Sequence, residues 1–251
     1  MEQQIGGMTM IDIRNLSKSY DGVKNAVDDL SLEIRDGEIF GFLGPNGAGK
    51  TTTLKLITGL LSPDSGSINM NGYDIEQEAL EAKKHFAFVP DNPDTFTRLK
   101  AIEYLRFIAD VYGVGKEERE ARIEDLTHRF GIFDVLNQMV KTYSHGMKQK
   151  LILVGALLHD PDTWILDEPM TGLDPASSFQ LKQLMREHGV RDSGGTDGGC
   201  AASEVWRELE HALSTPRLTA LQALCATHPG DPGVLLSLLL HLVVLQPGEA
   251  V

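Results

Sequence analysis

Nine consecutive residues, Gly44-Pro45-Asn46-Gly47-Ala48-Gly49-Lys50-Thr51-Thr52, carry the most specific chemistry in this chain. They fit the pattern G-x-x-x-x-G-K-[ST], a loop whose backbone N–H groups cradle phosphate oxygens. Gly44, Gly47 and Gly49 allow the tight curl. Lys50 can reach the outer phosphates, and the Thr51 hydroxyl can hold magnesium. Asn46 and Thr52 complete the candidate nucleotide-binding set. A second group closes the apolar run Thr163-Trp164-Ile165-Leu166: the carboxylates of Asp167 and Glu168. Asp167 can hold magnesium through water, and Glu168 can polarise an attacking water as general base.

These residues need elements to position them. Glu38 to Leu43 is a short apolar run after the turn Asp36-Gly37 and predicts a buried strand. Past the loop, Leu54, Ile57 and Thr58 share a helical face, and Gly59 offers a stop. The helix N-terminus then faces the phosphates, where its dipole favours negative charge. Thr163 to Leu166 predicts a parallel strand that delivers both carboxylates at its C-terminal end, the ligand-binding edge of open α/β sheets. Tyr143-Ser144-His145-Gly146-Met147 precedes the helical run Leu151 to Leu158. At that helix start Ser144 and Gly146 can offer a hydroxyl and backbone N–H groups to a γ-phosphate.

The order of loop, Ser-x-Gly segment, Asp-Glu strand and Gly172-Leu173-Asp174-Pro175 resembles the ATP-binding subunit of ABC transporters, over roughly residues 9–188. The resemblance implies a P-loop NTPase core of α/β class with antiparallel β and helical subdomains, and ATP with Mg2+ as ligands. It implies that Tyr20 stacks on adenine; a strand-end tyrosine is the plain alternative. Tyr143 to Met147 is similar to the L-S-G-G-Q segment, matching at Ser144 and Gly146 and departing at Tyr143, His145 and Met147. In the family that segment covers the nucleotide of a second ATP-binding subunit, so the resemblance implies a dimer. Gly172 to Pro175 looks like the loop coupling the two. Where the family has a glutamine after the strand Phe86 to Val89, this chain has Asp91, an oxygen ligand for magnesium or a turn residue of Pro90-Asp91-Asn92-Pro93. The helical stretch 94–160, with Ile102, Leu105 and Ala109 and then Ile123, Leu126 and Phe130 at helical spacing, resembles the subdomain that contacts a transmembrane partner.

The resemblance also predicts an apolar strand ending in histidine after the helix Phe179 to His188. The sequence continues instead as a Gly/Ser/Asp linker, 189–199. In the family the missing strand lies between the loop strand and the Asp-Glu strand. A truncated core is therefore expected to carry a gap in mid-sheet, with unpaired backbone groups on both sides. Net stability is only about 5–15 kcal/mol, so such a gap threatens folding, and ATP hydrolysis far slower than in an intact relative is expected.

Composition shifts at the same point. After His188 there is no Lys, Ile, Phe, Tyr, Met or Asn, and both cysteines follow it. A domain boundary explains the shift; so does a junction between unrelated coding sequences. The tail, 200–251, reads as mainly helical, with Val234 to Leu242 as an apolar helix and Val243-Val244-Leu245 as a short strand. Around Pro229-Gly230-Asp231-Pro232-Gly233 and Pro247-Gly248-Glu249-Ala250 it is similar to part of type I mannose-6-phosphate isomerase, without that family's metal ligands. The predicted organisation is thus an ATP-binding domain to 188, a linker and a tail. The alternatives are an ATPase, a nucleotide-binding module without turnover, a sugar-phosphate isomerase, against which the missing metal ligands stand, and an inactive fusion.

The chain has 251 residues and a formal net charge of -13, which argues against general nucleic-acid binding. Two cysteines fit a reducing, cytoplasmic setting. Met1 to Met10 carries no signal-peptide pattern, and the tail's apolar run is too short to span a bilayer. Attachment to a membrane is expected only through the transmembrane partner.

Overall fold

The computed structural model describes residues 9–35, 39–42, 44, 47–92, 96–190 and 241–245. Alternating apolar residues build the first layer. In β1 (Thr9–Ser19), Ile11 and Ile13 are buried while Arg14 is exposed. Asn15 adopts a left-handed φ of 47°, and the register shifts between Ile13 and Leu16. This irregularity resets the phase, so Leu16 rather than Asn15 enters the core. β1 pairs antiparallel with β2 (Asn25–Arg35) and, after β3 (Ile39–Phe42) and α1 (Lys50–Ile57), with β4 (Ser65–Met70). The short β5 (Tyr73–Asp74) completes a sheet of order β2-β1-β4-β5.

The second sheet carries the chemistry. After α2 (Ala79–Ala82), β6 (Phe86–Val89) pairs parallel with β7 (Thr163–Leu166). Between them in sequence lie α3 (Ala101–Val111), α4 (Lys116–Arg129) and α5 (His145–Leu157). Every residue of β7 is buried. Trp164 and Leu166 pack into the core formed with the three helices, and Ile165 packs into the core formed with α1 and the first sheet. Both faces of this strand are covered, which is why it reads as an unbroken apolar run. The helix α6 (Pro175–Val190) returns along the helical core through Leu181, Leu184 and Met185. His188 near its end lies against Trp164, ring centroids 4.2 Å apart.

Three expectations change. The predicted gap is filled: β8 (His241–Leu245) lies between β3 and β7, giving the order β3-β8-β7-β6, and runs antiparallel to both neighbours. Backbone pairing, not the local apolar pattern, places His241 and Leu242 in this strand rather than in a helix from Val234. Helix α6 continues to Val190, two residues into the stretch read as linker; one glycine in a helix costs only about 1 kcal/mol relative to alanine, so Gly189 does not end it. The rest of the linker and of the tail, including the isomerase-like elements, lies outside the described residues. None of the described helices is long and apolar enough to cross a membrane.

Central pairing gives β8 a measurable weight. Val244 is opposite both Ile39 and Trp164. Proline at 244 removes its backbone N–H and strands a buried acceptor, at about 1–3 kcal/mol per orphaned group. Val244→Pro is expected to lower the urea midpoint clearly more than Val23→Pro, which removes only an exposed N–H bond to Asp21 Oδ1 and serves as the surface comparison. Equal midpoints for Val244→Pro and wild type would show that β8 does not contribute to stability.

Candidate functional site

The loop after β3 ends on the N-terminus of α1. Gly47 and Gly49 hold φ of 80° and 86°, left-handed values that glycine adopts without strain. Gly49 has a second reason to be glycine: a Cβ there would collide with the backbone carbonyl of Ala26 on β2. Lys50 is 8% exposed, and its Nζ donates to the Gly44 carbonyl at 2.7 Å. The lysine therefore lies folded back across the mouth of the loop. Burial pushes its ammonium below the usual lysine range, and the charges of Glu168 and Asp167 pull it back up. That electrostatic contact joins the loop to the end of β7. Thr51 and Thr52 are half-buried at the first turn of α1, and Thr53 donates to the Gly49 carbonyl at 2.9 Å. Asn46 lies outside the described residues.

β7 delivers its two carboxylates differently. Asp167 is 1% exposed, and its backbone N–H donates to Val89 on β6 at 2.9 Å, extending the parallel ladder. Glu168 turns out of the strand with φ of 51°, a left-handed conformation that costs a non-glycine residue roughly 1–2 kcal/mol. Its carbonyl accepts from the Thr171 N–H at 3.0 Å, and its Oε2 accepts from the Thr171 hydroxyl at 3.4 Å. Val89 is opposite Leu166 in the parallel register, so Asp91, two residues on, leaves the sheet at the same edge as Asp167. Asp91 is exposed in a bend. Tyr20 follows β1 with its ring 66% exposed, and its hydroxyl lies 3.3 Å from Thr52 Oγ1. An exposed aromatic ring beside the first turn of α1 can stack on a planar base.

Thr51, Asp91 and Asp167 are all hard oxygen donors. Among the described residues no cluster of three His, Cys, Asp or Glu side chains could hold a metal alone. That set fits magnesium, which is typically bound by one or two protein oxygens together with substrate phosphates and water.

The Ser-x-Gly segment lies at the start of α5. Ser144 caps the helix, its hydroxyl accepting from the Met147 N–H at 3.3 Å. Ser144 and His145 are exposed, so this helix start is available to a ligand outside the chain's own loop. Tyr143, where the family segment has leucine, is buried, and its hydroxyl donates to the Val135 carbonyl at 2.8 Å. Burial pushes this phenol up to about 12. The departure is therefore a packing choice that holds the segment's start.

Sequence reasoning missed how this segment meets the loop after β7. A Cβ on Gly146 would strike the Gly172 carbonyl, and one on Gly172 (φ 78°) would strike the His145 ring. Lys150 Nζ pairs with Asp174 Oδ2 at 2.5 Å. Asp174 also caps α6, its Oδ1 accepting from the Ser177 N–H at 2.9 Å. Asp-Pro before a helical run is a legible helix start. The partnership with Lys150 has no sequence signal.

The ABC transporter family profile matches residues 27–171. The chain is 42% identical over 187 residues to the uncharacterized ABC transporter ATP-binding protein YhcH of Bacillus subtilis (strain 168), covering 72% of this chain and 60% of that protein. It is 40% identical over 182 residues to the ABC transporter ATP-binding protein NatA of the same organism, covering 71% and 74%. A solved ATP-binding subunit of an ABC transporter superposes with a TM-score of 0.65 at 33% identity, covering 73% of this chain and 76% of that one. The match thus spans about three fifths of YhcH's length.

The Asp174 cap supplies a pH-dependent test. Lys150 first, then the Ser177 N–H, hold its carboxyl well below the usual carboxylate range. A depressed folded pKa contributes stability that is present above the unfolded value, about 3.9, and lost as pH falls below it. Asp174→Ala is expected to cost about 1 kcal/mol at pH 7, the typical loss of an N-cap. The urea-midpoint difference from wild type should shrink below about pH 4. A difference that persists undiminished at pH 3 would remove the charge from the explanation.

Proposed function

The chain belongs to the ABC transporter ATP-binding family, and we propose that it binds magnesium-ATP at Gly44 to Thr52 and serves as the ATP-binding subunit of a membrane transporter. The observation that carries this reading is buried Lys50, held at the start of α1 within electrostatic reach of Asp167 and Glu168. A triphosphate entering this cleft displaces the Gly44 carbonyl as the lysine's acceptor. The loop N–H groups and the α1 N-terminus then stabilise the negative charge. Tyr20 stacks on the base.

Thr51, Asp91 and, through water, Asp167 would hold magnesium, which when bound would supply positive charge to offset that of the phosphates. Glu168, released from the strand by its left-handed turn, accepts the proton of the attacking water. Exposed Ser144 and the N–H of Gly146 are oriented for the nucleotide of a second ATP-binding subunit, so turnover requires a dimer. The helical layer of α3 and α4 faces a transmembrane partner, and the subunit sits peripherally on the cytoplasmic side through that partner alone. The tail, as a segment similar to type I mannose-6-phosphate isomerase, contributes no isomerase activity, because the sequence matched lacks that family's metal ligands.

Thermal shift with magnesium-ATP, together with phosphate release, tests this reading. Lys50→Ala is expected to abolish the nucleotide-dependent rise in Tm. Glu168→Gln should retain it and lose phosphate release by a factor of roughly 10²–10⁴, the usual range for a general base. Binding without release in the wild-type chain would identify a nucleotide-binding module rather than an ATPase. Absence of both would identify an inactive fusion.

A further inference from the structure

A cavity of about 320 Å³ lies where α4, the end of α5, β7 and α6 meet. None of its lining residues belongs to the nucleotide set. Its apolar lining is Trp164, Leu157, Leu126 and Leu184, which keep 5%, 7%, 9% and 9% exposure, whereas their core neighbours Leu153 and Leu166 keep none. The charged lining residues already neutralise one another. Arg129 Nε pairs with Asp125 at 2.9 Å and its Nη1 with Glu187 at 3.2 Å. Arg122 Nη2 lies 3.7 Å from Asp160 and 2.7 Å from Glu118, and its Nη1 donates to the Leu158 carbonyl at 2.8 Å. An anion entering here must displace a carboxylate, and a cation must displace an arginine. A neutral molecule displaces neither. One polar group of the lining is different: the indole N–H of Trp164 is buried and has no acceptor among the described residues. Such an orphaned donor is a standing cost that an incoming oxygen acceptor removes.

We propose that this cavity is a binding site for a small neutral aromatic molecule carrying a carbonyl group. The ring packs among Trp164 and the three leucines, and the carbonyl oxygen accepts from Trp164 Nε1. Ligand pockets run from about 300 to 1,000 Å³, and this one, at the small end, suits a single ring. An aromatic ring suits an indole wall because offset or edge-on ring pairs gain beyond the area they bury. The paired charges around the lining set specificity by exclusion: they offer nothing to an ion and leave the apolar surface to an uncharged ligand. This site stands apart from the magnesium-ATP reading, and its test is run without nucleotide.

The test is NMR of the full chain, isotope-labelled at tryptophan nitrogen and titrated with acetophenone, ethylbenzene or benzoate. The chain has two tryptophans, Trp164 and Trp206, and Trp206→Phe assigns the two indole peaks. Acetophenone is expected to move the Trp164 indole proton saturably downfield, and benzoate to leave it in place. Ligand-detected saturation transfer then compares wild type with Trp164→Phe, which keeps an aromatic wall and loses the donor. Acetophenone is expected to weaken about tenfold in this variant, the scale of one buried hydrogen bond, and ethylbenzene, which has no oxygen, to stay within about twofold. Ala121→Phe, at an exposed position of the lining, is expected to weaken both ligands and keeps the test decisive should Trp164→Phe fail to fold. No saturable movement of the Trp164 peak with acetophenone would overturn the proposal. So would equal losses of acetophenone and ethylbenzene in Trp164→Phe, unchanged binding of both to Ala121→Phe, or benzoate binding as tightly as acetophenone.

Discussion

Backbone pairing across the central sheet is the constraint on which this structure depends. β3 has four residues and β7 has four, and they must hold a phosphate loop and two carboxylates at fixed positions. Strands this short are rigid only if their N–H and C=O groups are paired on both sides, because an orphaned buried group costs a sizeable part of a domain's net stability. β6 satisfies one side of β7, and β8 satisfies the other side together with β3. A strand from beyond residue 240 thus holds together the two halves of the site.

The site is also a junction of layers. β7 sends Trp164 and Leu166 to the helical core and Ile165 to the core of α1 and the first sheet. Asp167 and Glu168 inherit their rigidity from both. At the same edge, Gly146 at the start of α5 meets Gly172 backbone to backbone, and Lys150 pairs with Asp174 at the start of α6. The Ser-x-Gly segment and the loop after β7 are therefore mechanically one unit. Displacing either one moves the other, since neither glycine has room for a side chain.

Much of this was legible in the residues. The phosphate loop, the strand before it, the helix after it and the Asp-Glu strand all occupy the positions that local pattern assigns. Ile123 and Leu126 are core residues of α4, as their spacing requires, and Phe130, which caps its C-terminal end, is buried with them. Tyr143 is an instance of the opposite kind: its departure from the family segment was visible, but its anchoring to the Val135 carbonyl was not. The irregularity at Asn15 and the left-handed turn at Glu168 also escaped, because each depends on the neighbouring strand or loop rather than on the residue alone.

By itself the sequence determined the chemistry and the order of its parts. Phosphate-binding loops and acidic strand ends are local patterns whose geometry follows from a few neighbouring residues. Only the tertiary structure decided what stands between them. The tail's short apolar segment says nothing about which strands it joins, in which direction, or which of its ends reaches the phosphate edge. Those choices belong to hydrogen bonds between residues about two hundred positions apart, such as Phe42 and His241, and no local pattern encodes a partner at that distance.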